Sequence, residues 1–124
     1  MSSKNNELLL IPKYEKYMQY MIEIISKLPR TEKFNIGNEY KYCMYETLRN
    51  IMIINKIETN KRLEYLNYID ANMNTQRILL RIMYKNKYID EKKFKVSIEK
   101  IYEIGKIIGG LHKYYGKNNK KWIL

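Results

Sequence analysis

The stretch Lys61-Arg-Leu-Glu-Tyr-Leu-Asn-Tyr-Ile-Asp-Ala-Asn-Met-Asn-Thr-Gln-Arg-Ile-Leu-Leu-Arg-Ile-Met-Tyr-Lys-Asn-Lys87 decides the fold. It holds neither Gly nor Pro and is long enough for about seven helical turns. At about 100° per residue it carries two apolar faces. Tyr65, Tyr68, Ala71, Thr75, Leu79 and Ile82 share one side. Leu66, Met73, Leu80 and Tyr84 lie nearly opposite. Arg77, Arg81 and Lys85 run at i, i+4 and i+8 along the flank of that second face. A helix with one apolar stripe needs one neighbouring layer, and a helix with two needs a second surface. In so short a chain the second surface is expected to be another subunit. Leu66, Met73, Leu80 and Tyr84 are then the interface candidates, with the arginine row beside them.

Working outward, residues 1–11 read as a short polar arm ending in the apolar patch Leu8-Leu-Leu-Ile11. A first helix is expected from Pro12, a residue favoured in the first turn, to about Lys27. Pro29 pushes Leu28 out of the helical region and breaks the pattern. A second helix starts between Thr31 and Asn35, both N-cap types. It carries Phe34, Ile36, Tyr40, Cys43, Met44, Thr47, Leu48, Ile51 and Ile54 at helical spacing as far as about Ile57. Gly37 in its first turns costs about 1 kcal/mol against Ala, which implies a close neighbour. Thr59 or Asn60 should cap the third helix, and Asp90 the fourth. The fourth helix, Glu91 to about Tyr114, shows a seam of Phe94, Ile98, Ile101, Gly105, Ile108, His112 and Tyr115. Gly105 and Gly109 are four apart and would let another helix come close. The segment 116–124 is basic and expected to be loose, with Trp122 to Leu124 able to dock. Four helices with short links make an all-α, antiparallel up-down-up-down four-helix bundle over residues 12–115.

The chain has 124 residues, enough for one domain but not for a large enzyme with a deep cleft. Only 5 Gly and 2 Pro favour long regular elements over a turn-rich β-sandwich. No run of about 18 apolar residues is present, so no membrane span is expected. The N-terminus lacks the apolar core of a signal peptide. The single cysteine, Cys43, excludes an internal disulfide and a multi-cysteine zinc site. A cytoplasmic protein is the expected class. Lys plus Arg is 24 against 13 acidic residues, a formal net charge of +11 that favours polyanions, nucleic acid first among them. Lys, Asn, Ile and Tyr are all abundant, so a coding bias towards AT-rich codons also lifts the lysine content.

Catalysis needs converging groups with tuned pKa values. His112 stands alone on the seam, Cys43 has core spacing, and Glu99 and Glu103 lack the histidine partners of a di-iron bundle. A surface pairing of those two with Lys95 or Lys106 explains them better. The chain is therefore read as non-enzymatic, with no cofactor and no metal. The nucleic-acid candidates are Arg77, Arg81 and Lys85, a stripe about 12 Å long, extended by Lys41, Arg49, Lys106 and Lys113. A cyclic oligomer would repeat the stripe and make binding steeply salt-dependent. In the opposing reading the arginines form salt bridges between subunits, for instance with Asp70 or Glu64.

Four segments resemble one family. Leu28-Pro-Arg-Thr-Glu-Lys-Phe-Asn-Ile-Gly-Asn38 is similar to the Pro-to-Gly block of Avd-like proteins, the accessory variability determinants of diversity-generating retroelements. Lys61 to Asp70, Arg77-Ile-Leu-Leu-Arg-Ile-Met-Tyr84 and Glu103-Ile-Gly-Lys-Ile-Ile-Gly-Gly-Leu111 follow in the same order. The resemblance covers roughly residues 12–113. It implies a small basic four-helix bundle that forms a ring-like homopentamer. It also implies binding to a reverse transcriptase and to template RNA, with DNA or an RNA–DNA hybrid second, in support of mutagenic cDNA synthesis. Arg77 and Arg81 match the family's paired arginines. Leu111 stands where an aromatic often follows the Gly-Gly pair, and Ala71 to Gln76 is more polar than usual. Proteins encoded within intervening sequences of ribosomal RNA genes share the bundle. An oligomeric interaction scaffold of that type, with incidental charge, is the alternative function.

Overall fold

The computed structural model describes the backbone of residues 3–123 and the side chains of residues 9–117. Its elements are α1 (Ser3–Ser26), a single turn α2 (Arg30–Lys33), α3 (Ile36–Ile54), α4 (Thr59–Lys85) and α5 (Glu91–Ile123). Among the described residues there is no strand. The four long helices form an antiparallel bundle in which α3 packs on α4, α4 on α5, and α5 back on α1. Of the neighbouring pairs of long helices, α1 and α3 touch least, and Tyr14, Tyr17 and Tyr40 fill the space between them.

The first helix begins at Ser3, not at Pro12, so residues 3–11 are not an arm. Its buried stripe explains the difference. Leu10, Tyr14, Tyr17, Met21, Ile24 and Leu28 follow at steps of three and four, and Leu10 joins the core only if the helix continues through Pro12. An interior proline loses one backbone hydrogen bond, and the burial of Leu10 and the half-burial of Ile11 offset it. The C-terminal segment is likewise helical, to Ile123, instead of loose. The docking expected of Trp122 to Leu124 lies outside the described residues.

Loop chemistry fixes the turns. Pro29 is extended, and its carbonyl accepts from the Glu32 and Lys33 amides to start α2. Asn35 and Glu58 occupy the N-cap positions of α3 and α4, but neither side chain caps, and Thr59 is already helical. Asp90 does cap α5: the Lys93 amide donates to its Oδ1 at 2.8 Å. α4 ends in a Schellman pattern, with the Tyr88 amide on the Met83 carbonyl and the Lys87 amide on that of Tyr84. Lys87 takes the left-handed position, φ 63°.

The inward stripe of α4 is Leu66, Ile69, Met73, Gln76, Leu80 and Met83, a regular three-four repeat. Leu66 and Leu80 are 0% exposed inside their own chain. With Met73 they belong to the bundle core and not to an oligomer interface. On the face that sequence reading turned inward, Tyr68 and Ile82 are 49 and 41% exposed, and only Tyr65 and Leu79 are half-buried against the core; Ile78 beside it is 43% exposed. The expected α5 seam holds in part. Ile101, Ile108 and Tyr115 are buried, joined by Ser97, Ile104, Ile107 and Leu111, while Gly105 is exposed, because Ile104 buries apolar area that a glycine lacks.

One polar cluster ties three helices together at the centre. The Tyr17 hydroxyl donates to Gln76 Oε1 at 2.6 Å and is hydrogen-bonded to the Tyr40 hydroxyl. Gln76 Nε2 donates to Thr47 Oγ1 at 3.2 Å and to the Tyr14 hydroxyl at 3.5 Å. Tyr14 and Thr47 pass their own protons to the carbonyls of Met44 and Cys43. Among the described residues no buried side-chain nitrogen or oxygen lacks a partner, so the cluster avoids the desolvation cost of an orphaned polar group.

Candidate nucleic-acid interface

A groove runs between α4 and α5. It consists of two adjoining depressions that share Arg77 and Ile98 in their linings. The first, about 480 Å³, is lined by Arg77, Arg81, Phe94, Lys95, Ile98 and Glu99. The second, about 350 Å³, extends past Asp70, Met73 and Ile101 to Tyr102, Gly105 and Lys106. Helix geometry builds this rim. Arg77 and Arg81 are one turn apart on α4, just beside its buried stripe, and α5 runs antiparallel across from them.

Arg77 and Arg81 are both exposed, and among the described residues neither has an ion pair or hydrogen bond. Neither Asp70 nor Glu64 pairs with them: Asp70 lines the groove, and the Glu64 carboxylate accepts from the Tyr68 hydroxyl at 2.8 Å. Lys106 joins the groove from α5, its ammonium 4.9 Å from the centroid of the Tyr102 ring. Of the other sequence candidates, Lys85 continues the α4 row and is exposed. Lys41 and Arg49 lie on α3 and line neither depression, and Arg49 is paired with Glu46 at 2.8 Å. Lys113 is exposed farther along α5 and lines neither.

The remaining candidates are placed as follows. Tyr84 is half-buried and stacked on Phe94, ring centroids 4.4 Å apart. Gly105 and Gly109 are exposed, and a methyl group added to either would meet nothing within 4 Å. Glu103 pairs with Lys13 across α5 and α1 at 3.0 Å, and Lys95 with Glu91 at 3.1 Å, not in the expected sets. The hydrogen bond and charge of Lys13 hold the Glu103 carboxyl below its ordinary value.

Sequence reading missed a second cationic patch. Lys13, Lys16 and Lys100 gather with Glu103 around a smaller depression between α1 and α5. Their helical spacing contained the signal, but only the pairing of α1 with α5 reveals it. Sequence reading also missed Tyr102 as a groove residue.

Titratable groups inside the bundle are held neutral. Burial pushes the phenols of Tyr14, Tyr17 and Tyr40 far up. It also raises the Cys43 thiol, with the nearby Glu39 charge adding to the effect, which disfavours a nucleophilic thiolate. His112 is half-buried on α5. Among the described residues no group of three or more His, Cys, Asp or Glu is placed to hold a metal ion, and no helix is long and apolar enough to cross a membrane.

Compared with known proteins, the chain has no match among curated sequences. A family model described as bAvd-like matches residues 8–115, from the last turn before Pro12 to Tyr115 and across all four long helices. That span is most of the chain, and with the bundle it places this protein in the bAvd-like family.

Proposed function

We propose that this protein is a non-catalytic, nucleic-acid-binding accessory factor of a diversity-generating retroelement. In this reading it binds the element's reverse transcriptase and template RNA, with DNA or an RNA–DNA hybrid as further ligands, and supports mutagenic cDNA synthesis in the cytoplasm. Membership of the bAvd-like family points to the accessory role. The observation that carries nucleic-acid binding is the pair Arg77 and Arg81, side by side on a groove rim without an acidic partner, in a chain of net charge +11. A guanidinium left free beside a groove fits phosphate in a bidentate manner.

A homo-oligomer, a pentamer by family resemblance, requires a contact other than the one first expected, because Leu66, Met73 and Leu80 are used by the core. The outward stripe of α4, with Tyr68, Ile78 and Ile82, supplies an apolar face for a second copy. A copy seated there leaves the α4–α5 groove uncovered, and a ring would repeat its arginine rim with each subunit.

The test is binding of a labelled structured RNA across a salt series, wild type against an Arg77→Ala/Arg81→Ala double variant, with the mass of each measured by light scattering. Wild type should bind with a steep salt slope. The variant should keep its mass and lose roughly two units of slope for each subunit touching the RNA. Absence of binding by wild type at moderate salt, or collapse of the variant to monomer, would assign the row to structure. The exposed α4 stripe would then favour the interaction scaffold of the intervening-sequence type.

A further inference from the structure

We infer that the α4–α5 groove favours an unpaired strand of nucleic acid over duplex, with Tyr102 as a base-stacking platform. This inference rests on the nucleic-acid reading of the same groove and specifies the form of the ligand. A cationic ridge alone would hold phosphates of any duplex. This groove has more than a ridge. Its rim carries Arg77, Arg81 and Lys106, while between them lie the apolar side chains of Phe94, Ile98, Ile101 and Tyr102. A duplex presents phosphates but keeps its base faces stacked inside. Only an unpaired strand offers phosphates to the rim and flat apolar faces to the floor together.

Tyr102 is the residue placed for stacking. It is 64% exposed and lines the groove, and Lys106 sits over one face of its ring. The other face is left for a base, and the lysine above the ring stays within reach of the phosphate next to it. Size agrees. From Phe94 to Lys106 the groove wall is about 18 Å long, room for a few nucleotides. Gly105 contributes no side chain, and a methyl group there would meet nothing within 4 Å, so this wall stays low where a base would enter. Asp70 and Glu99 also line the groove, and against an acidic protein segment they add repulsion without any base face to compensate.

The test compares a labelled oligouridylate with an RNA duplex of the same length, on full-length protein at one salt concentration. Wild type should prefer the oligouridylate. Tyr102→Ala should weaken it about tenfold and leave duplex binding unchanged, and Tyr102→Trp should restore it. Arg77→Ala/Arg81→Ala should weaken both probes. Equal binding of the two probes by wild type, or a Tyr102→Ala variant that loses neither or both alike, overturns the single-strand assignment while leaving nucleic-acid binding in place. Binding of neither probe removes the nucleic-acid reading and this inference with it. Poly-glutamate that binds in a Tyr102-dependent way while oligouridylate does not would assign the groove to an acidic protein and overturn the proposal.

Discussion

Gln76 and Arg77 are adjacent in the chain and opposite in circumstance. Gln76 is fully buried, and its amide accepts from Tyr17 and donates to Thr47 and Tyr14. Arg77 is exposed and has no partner among the described residues. A polar group whose bonds are all made within its own chain has a structural role, because removing it leaves the partners unsatisfied. A charged group on a groove rim with no bond made is free to bind from outside. One helix thus turns one side to the core and the next side, about 100° round, to an open groove.

The largest effect that separates the two regions is alkaline. The phenols of Tyr14, Tyr17 and Tyr40 titrate above their ordinary value of 10.0 when folded, because burial penalises the charged form. The folded state therefore holds protons that the unfolded chain releases. Their contribution is fully present below pH 10 and is lost as pH rises from there towards the folded values. Above pH 10 the stability should fall by up to roughly 4 kcal/mol per pH unit for the three together. Urea midpoints across pH 9 to 11 would measure it. Tyr40→Phe removes one titrating member and should flatten the fall, whereas Arg77→Ala should leave the profile unchanged. A flat profile in wild type would mean that the cluster is wet.

Next in size is the direct exchange. Gln76→Ala deletes a buried side chain and takes one hydrogen bond each from the hydroxyls of Tyr17 and Thr47, which keep only Tyr40 and the Cys43 carbonyl, so it should cost about 3 kcal/mol. Arg77→Ala should change stability by less than about 0.5 kcal/mol while lowering the salt slope of RNA binding. Equilibrium unfolding of the two variants in parallel decides the matter, and comparable losses would erase the distinction.

The same glutamine marks where sequence reading stopped. The helices, the breaks at Pro29, at Glu58 and at Tyr88 to Asp90, the cap at Asp90 and the tight place at Gly37 were all visible, because each depends on residues close together in the chain. The choice between the two faces of α4 was not. Gln76 interrupts the apolar run from Leu66 to Met83, and a stripe with a glutamine in it looks like a surface. What makes it a core residue is Tyr17, 59 positions away, and Thr47, 29 away. No local pattern carries that information. Pro12 misled for a related reason: the weight of Leu10 in the core is set by the neighbouring helices, not by the proline. At the groove, exposure of Arg77 and Arg81 followed from helical phase. The arrival of Lys106 and Tyr102 opposite them depended on the pairing of α4 with α5.

The smallest effects come from glycines, and here the two regions should differ in sign. A methyl group at Gly37 would lie 3.0 Å from Ile25 Cγ2 and 3.2 Å from the Glu32 carbonyl oxygen. That carbonyl is fixed in α2, where it accepts from the Asn35 amide. Overpacking against it outweighs the helix propensity of alanine, so Gly37→Ala should lose about 1 kcal/mol. At Gly105 and Gly109 the space is open, and each alanine should gain about 1 kcal/mol in the protomer. Light scattering supplies the second reading. If mass is unchanged and stability rises, Gly105 and Gly109 lie outside any contact between copies, and the outward stripe of α4 is left to make it. If Gly105→Ala/Gly109→Ala lowers the mass, a second helix had been seated against the bare backbone of α5, and the groove that Gly105 lines would be closed by a copy of this chain instead of open to RNA.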